Sequence, residues 1–232
     1  MKAQETNLEA ILEGKKQYQV PMFQRLYSWG HDQIDQLWDD IIEIAETRRT
    51  SPHATHFIGS LVLATSPDNG PVGPQHFLVI DGQQRLTTLS LLLAALRDHM
   101  VSEGKEDARD ELNNQYLLNP YDVGRPPKLL PTQADQPAYL AVLHHAPTAG
   151  GMDKVGAVYR TFRAKLNAVT ELDPVPTMLE LQHAILNGLS LVVVTAEPSD
   201  NAHRIFESLN NTGLSLTQAD LLKNYLFMRL GE

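Results

Sequence analysis

The residues best suited to chemistry lie in one short stretch, where the apolar run 77–80 leads through Asp-Gly-Gln-Gln-Arg, residues 81–85, into a helical pattern. A strand that turns directly into a helix leaves backbone N–H groups unpaired at the positive end of the helix dipole, which favours phosphate binding. Arg85 adds a planar, permanently charged group for phosphate oxygens. Gly82 would allow a ligand to approach the backbone closely. The stretch therefore predicts a phosphate-binding turn that includes Gly82 and Arg85.

The same turn supplies candidate catalytic residues for phosphoryl transfer, namely Asp81, Gln83, Gln84 and Arg85. This chemistry needs charge neutralised on the phosphates and a water held in line with the breaking bond. Arg85 suits the first task, and the amides of Gln83 or Gln84 suit the second. Asp81 suits a Mg²⁺ ligand. It equally suits a helix cap, with Gln84 completing a capping box.

A second segment, Pro-Met-Phe-Gln-Arg-Leu-Tyr-Ser-Trp at 21–29, combines aromatic rings with Gln24 and Arg25. Gln24 and Arg25 are candidates for contacts with nucleotide phosphates, and Arg25 equally suits a DNA backbone or stacking on a neighbouring ring. Phe23, Tyr27 and Trp29, beside Gln24, predict a rigid aromatic rim. The alternative is that Phe23 and Trp29 belong to the core.

A third segment near the C-terminus carries further polar candidates. Asn210, Asn211 and Gly213 form a turn that ends a predicted helix, with Gly213 suited to positive φ. Asn210 is a candidate wall of the nucleotide site. Lys223 and Asn224 follow in the next predicted helix as nucleotide contacts, although a solvated helix face is the alternative.

Hydrophobic spacing predicts the elements that position these segments. Strands are predicted at 18–20, 57–64, 77–80 and 189–195, and helices at 31–48, 84–100 and 155–169, after Thr6, after Pro176, at 202–209 and after Thr217. The runs 57–64 and 77–80 predict a hairpin with a long connection, and the continuous apolar run 189–195 predicts a central strand covered on both faces. Six prolines between 120 and 147 exclude long regular elements from 101–151, and we expect an irregular helical lobe over 101–188.

The amino-acid composition restricts the classes to which this protein can belong. The 232 residues include no cysteine, which excludes disulfides and thiolate metal sites and is typical of a reducing cytoplasm. No apolar run is long enough for a membrane span, so we expect a cytoplasmic protein without a membrane partner. The net charge of −9 disfavours unassisted wrapping of nucleic acid. The histidines lack metal-site spacing, so no resident metal site is expected, and Asp39, Asp40 and Glu43 are interpreted as a solvated helix face.

Taken together and in order, the three segments resemble the N-terminal domain of the GmrSD-type modification-dependent restriction enzymes, in the ParB/sulfiredoxin-like fold group. The resemblance runs from Tyr18 to Leu226 and centres on Ile-Asp-Gly-Gln-Gln-Arg. It implies a mixed α/β (α+β) fold with a small mixed sheet surrounded by helices, and one domain over 1–232. It also implies that the chain binds and hydrolyses an NTP, whether GTP, CTP, UTP or ATP, with Mg²⁺.

The resemblance further implies modified DNA as a partner, carrying a phosphorothioate or an altered base, and a C-terminal HNH-type nuclease domain outside this chain. With such a partner, Phe23, Gln24, Tyr27 and Trp29 are the candidates for recognition of the modification. A soft sulfur-substituted phosphate would favour a partly apolar pocket, and a flipped base would stack on the rings. No His-Asn-His arrangement occurs in these residues, so we expect a separated sensor domain without nuclease activity, and a homo-oligomer is left open. One alternative is a non-hydrolysing, nucleotide-dependent DNA-binding switch of the ParB type. A sulfiredoxin-like phosphotransferase is disfavoured because that chemistry uses a cysteine.

Overall fold

The computed structural model describes residues 2–66, 69, 73–120, 122–170 and 176–196. Within them, six strands form one sheet. These are β1 (Lys2–Asn7), β2 (Lys16–Gln19), β3 (His56–Thr65), β4 (Gln75–Asp81), β5 (Leu129–Leu130) and β6 (Leu189–Ala196). Their order is β1-β6-β3-β4-β2-β5. The sheet is mixed: β3 pairs antiparallel with β4 and parallel with β6, while β2 lies parallel to both β4 and β5.

Helices cover this sheet and extend the fold beyond it. They are α1 (Leu8–Leu12), α2 (His31–Thr50), α3 (Gln83–Ser102), α4 (Asp107–Leu112), α5 (Gln136–Leu143), α6 (Lys154–Thr170) and α7 (Met178–His183). Short π-helical turns at Asn113–Leu117 and Ala184–Gly188 extend α4 and α7. The predicted mixed α/β architecture is confirmed.

The helix α3 is the central element of the core. Nearly every side chain of this helix is buried, including its polar ones, so its surroundings contact it on all sides. It packs against α4, α5, α6 and α7. A helix that is buried around its whole circumference has to be enclosed by other elements in this way. The 81–85 turn is therefore attached to a helix that lies within the core of the described fold.

A buried polar cluster joins α3 to the region after it. Arg97, which is 2% exposed, donates hydrogen bonds to Asp98, to Asn113 and to the carbonyls of Val142 and Leu143. These bonds connect the central helix with the end of α5. Since α4 and α5 are short and separated by proline-containing loops, the absence of long regular elements from 101–151 is confirmed for the part of this stretch that the structure describes.

The predicted strands form, with three differences. The hairpin of β3 and β4 is confirmed. The two-residue strand β5 was not predicted. The predicted central strand β6 lies between β1 and β3, second from the edge, and its residues 192–195 are only half-buried. The strand β1 was not predicted because its first residues are polar and exposed, and its pairing with β6 is long-range. The helices predicted at 202–209 and after Thr217 lie outside the described residues.

The sheet carries apolar side chains on both faces. Leu61, Leu63 and Val79 join the main core, while Val62 and Ile80 belong to a second, smaller cluster on the other face. This alternation is what a strand covered on both sides requires. Among the described helices, none combines the length and apolarity that crossing a bilayer needs.

Candidate functional site

The strand-turn-helix junction forms as predicted, but its cap differs. β4 ends at Asp81, which pairs with Val62 of β3, and α3 begins at Gln83. The N-cap between them is Gly82, in the left-handed conformation with φ of +89°. The prediction that Asp81 and Gln84 form a capping box is therefore wrong. Asp81 is still part of the strand, and a left-handed glycine turns the chain into the helix.

Glycine is required at position 82 because the backbone there lies close to the sheet. A Cβ added at this position would lie 2.9 Å from the carbonyl oxygen of Ser60 and 3.0 Å from a methyl group of Leu61. Both the positive φ and this close approach exclude larger residues. The expected close approach of a ligand to Gly82 remains a prediction, because the space left by the missing side chain faces β3.

Arg85, in the first turn of α3, is held against an irregular part of β3. Its Nη1 donates to the carbonyl of Ser60 at 2.7 Å. The register of β3 shifts between Phe57 and Ser60, and Gly59 there has φ of +114°. A Cβ on Gly59 would lie 2.5 Å from Nη2 of Arg85, so any larger residue at position 59 would displace the guanidinium group from its observed position. Burial lowers the pKa of Arg85 below its ordinary value, and the charge of the nearby Asp81 offsets only part of this shift. The guanidinium group stays charged at neutral pH.

The two glutamines of the turn connect it to the 21–29 segment. Gln84 accepts from the backbone N–H of Ser28 at 2.7 Å and donates to the carbonyl of Leu26 at 3.1 Å. Gln83 donates to Oε1 of Gln24 at 3.0 Å, and Gln24 donates to the carbonyl of Ile80 at 2.8 Å. The structure thus brings together two segments about 60 residues apart in sequence.

The three aromatic residues of the 21–29 segment occupy three different environments. Tyr27 is 4% exposed, and its hydroxyl lies 2.6 Å from Oγ1 of Thr88. Burial raises the pKa of this phenol. Tyr27 was expected to be part of the aromatic rim, but its buried side chain anchors the segment to α3 and presents no exposed ring. Phe23 and Trp29 are half-buried and line two separate clefts.

The first cleft, which we call the Arg85 cleft, has a volume of about 440 Å³. It lies between α2 and the start of β3. Its lining combines aromatic, amide and charged side chains: Trp29, Asp32, Gln33, Gln36, Leu37, Asp40, Phe57, Ile58 and Arg85. The structure therefore places Trp29 beside the predicted phosphate-binding arginine.

The second cleft, which we call the Phe23 cleft, has a volume of about 560 Å³ and is lined by Met22–Leu26 and Thr132–Ala134. It contains both Gln24 and Arg25. The Arg25 side chain is exposed, as either a phosphate or a DNA contact requires. Met22 and Leu26 are also largely exposed, at 65% and 55%. The segment therefore presents one charged and two apolar side chains at the surface.

Sequence reasoning missed part of the Arg85 cleft. Asp39 and Glu43 are exposed as expected, but Asp40 is not a solvated residue. It accepts a hydrogen bond from Gln36 at 2.8 Å, and its other oxygen lies 3.4 Å from Nε2 of His56. The available signal was its position three residues after Leu37, at the border of the apolar stripe of α2. No local pattern indicated that β3 would lie opposite.

The remaining candidates, Asn210, Lys223 and Asn224, lie outside the described residues. In the part of the chain that the structure describes, no three His, Asp or Glu side chains cluster as a metal site would require. The nearby carboxylates among the described residues are Asp81 at the turn, and Asp32 and Asp40 in the Arg85 cleft. One or two carboxylates, together with phosphate oxygens, suffice for Mg²⁺ bound to a nucleotide.

No curated protein matches this sequence. The family model described as the N-terminal domain of GmrSD restriction endonuclease matches residues 8–227, which include both the 81–85 turn and the 21–29 segment. Since the match covers nearly the whole chain, the chain belongs to the family of GmrSD restriction endonuclease N-terminal domains.

Proposed function

We propose that this domain is the nucleotide-dependent sensor of a DNA-restriction protein that acts against phage. In this proposal it binds and hydrolyses an NTP at the 81–85 turn, and it couples that reaction to recognition of modified DNA by the 21–29 segment. Membership in a restriction-endonuclease family supports the defence context. The partners are DNA carrying a phosphorothioate or an altered base, and an HNH-type nuclease domain outside this chain.

The observation that carries the proposal is the direct hydrogen bonding between the two segments. Gln83 and Gln84 belong to the nucleotide-binding turn, yet their amides bond to Gln24, Leu26 and Ser28. A shift of the N-terminus of α3 upon phosphate binding would therefore move the 21–29 segment. Such a connection is what a coupling free energy between two sites requires.

Arg85 supplies the charge for the proposed hydrolysis. It is permanently ionised, and Gly59 and Ser60 restrict its position, so little reorganisation is needed when charge develops on a phosphate. Mg²⁺ would neutralise further phosphate charge, with Asp81 or Asp32 as its protein ligand. The Phe23 cleft, with exposed Arg25 at its border, is the proposed contact with DNA.

One observation favours the alternative of a non-hydrolysing switch of the ParB type. Gln83 and Gln84 are 7% exposed, and their amides already bond to the 21–29 segment. In this arrangement they hold the segment in place, whereas orienting a water requires one of these bonds to break. Release of the segment during turnover distinguishes hydrolysis from simple nucleotide-dependent binding.

The test is a turnover assay with ATP, GTP, CTP and UTP, with and without modified DNA, on wild type and on Phe23→Ala. We expect multiple turnovers by wild type, stimulated by modified DNA. Phe23→Ala should lose this stimulation while retaining basal turnover. Binding followed by no more than one turnover would support the switch, and an absence of nucleotide binding would contradict both functions.

A further inference from the structure

We propose that the Arg85 cleft holds the base of the nucleotide as well as its phosphates, with the base stacked on Phe57 and a guanine edge directed at Asp40. This inference rests on the proposed function, since it requires that a nucleotide binds at the 81–85 turn. It assigns Phe57, Gln36 and Asp40 to binding, and it transfers Trp29 from DNA recognition to the nucleotide site.

The cleft has suitable dimensions and two chemically different ends. At one end, Arg85 contacts Gly59 and Ser60. At the other, Asp40 lies beside His56. A strand rises roughly 3.3 Å per residue, so the ends are separated by about 13 Å at most. That span suits a nucleoside with its attached phosphates, and a volume of about 440 Å³ lies within the usual range for small-molecule sites.

Phe57 has the exposure expected of a stacking platform that awaits a ligand. Its side chain is 58% exposed, although it belongs to a strand beside the core. The shift in register after Phe57 interrupts the alternation of side chains, so Phe57 and its neighbour Ile58 both line the cleft. Trp29 provides a second, half-buried ring in the same cleft. A base bound there would cover apolar surface that is now in contact with water.

The polar groups at the far end favour one base over the others. Asp40 is an acceptor only, and its carboxylate is held in place by Gln36 and His56. Guanine presents an imino and an amino N–H side by side, which match the two oxygens of a carboxylate. Adenine and the pyrimidines present an acceptor next to a single donor group on the corresponding edge. The cleft therefore selects GTP.

The experiment is a fluorescence titration of the full chain with N-methylanthraniloyl-GTP and with the matching ATP derivative. Phe57→Ser should weaken binding of the GTP derivative by roughly 10-fold to 100-fold, the range for loss of a stacking contact. Leu179→Ser is the matched control, because Leu179 is 59% exposed and lies on α7, outside the cleft. The control should bind like wild type. Tripolyphosphate should displace either label with the same constant in all three proteins.

The outcomes separate the two proposals. If wild type binds neither derivative, the base site fails, and the proposed function fails with it when the turnover assay also finds neither binding nor hydrolysis of CTP and UTP. If wild type binds nucleotide and Phe57→Ser binds it equally well, the base site alone is wrong. Asp40→Asn should reduce the preference for GTP over ATP at least fivefold. An unchanged preference, or a wild type without one, would contradict guanine selection by Asp40.

Discussion

Arg85 combines a permanent charge with a fixed position, because Gly59 leaves space for its guanidinium group and Ser60 accepts one of its N–H groups. We predict that Arg85→Ala lowers NTP turnover by about 100-fold to 1,000-fold, the effect of removing one preorganised electrostatic contact. Arg85→Lys should recover little, because an ammonium group lacks the bidentate geometry. Steady-state phosphate release measures both. Circular dichroism must show a folded Arg85→Ala protein, and full turnover in that variant would refute the assignment.

Asp98 makes stability depend on pH. Burial alone would raise its pKa, but the hydrogen bond and charge of Arg97, with a further hydrogen bond from Tyr159, place the pKa below its ordinary value. A carboxyl group whose pKa is lowered by folding stabilises the folded state at pH values above about 3.9, its pKa in the unfolded chain. This stabilisation is lost as the pH falls through the lower pKa of the folded state.

The corresponding test is urea unfolding of wild type and Asp98→Asn at two pH values. At pH 7 the variant should be less stable by about 3 kcal/mol or more, since Arg97 is left buried without its charged partner. Below pH 4 the difference between the two proteins should shrink as the wild-type carboxylate takes up a proton. A difference independent of pH would show that the ion pair contributes nothing through its charge.

At the scale of elements, the irregularity in β3 determines where Arg85 lies. Gly59→Ala should displace the guanidinium group, because the new Cβ would lie 2.5 Å from Nη2, and turnover should fall nearly as far as in Arg85→Ala. Gly73→Ala is a close control. Gly73 has nearly the same φ, +113°, with no atom within 4 Å of an added Cβ. Both variants carry the strain of a positive φ, roughly 1–3 kcal/mol, but only the first should lose activity.

At the scale of the whole molecule, charge limits what these 232 residues do with DNA. The net charge of −9 opposes binding of a polyanion, so affinity for DNA should be modest and should fall steeply between 50 and about 200 mM salt. We also predict that a supercoiled plasmid stays intact with Mg²⁺ or Mn²⁺. Nicking that survives repurification and disappears in an Asp39→Ala/Asp40→Ala variant would place a nuclease centre in this domain.

The elements were predictable where a local pattern specifies them. The apolar stripe of α2, the leucines of α3 and the short apolar, β-rich runs of β3 and β4 all indicate the element that forms, since the apolar pattern reflects which faces are buried. The exposed, polar β1 carries no such pattern, and its strand forms only because β6 offers a free edge. The interpretation of Asp81 as a helix cap was wrong because Asp81 pairs with Val62 as the last residue of β4. No local sequence pattern indicates this pairing.

The residue types of the turn specify the chemistry available there: a glycine that permits the reversal, an arginine that stays charged, and two amides. The groups that these side chains contact depend on tertiary packing. The pairing of β3 with β4 places Gly59 and Ser60 against Arg85, and the hydrogen bonds of Gln84 hold the 21–29 segment. These contacts join residues 25 or more positions apart, so they depend on how the chain packs. The separation of Phe23, Tyr27 and Trp29 into three environments has the same cause.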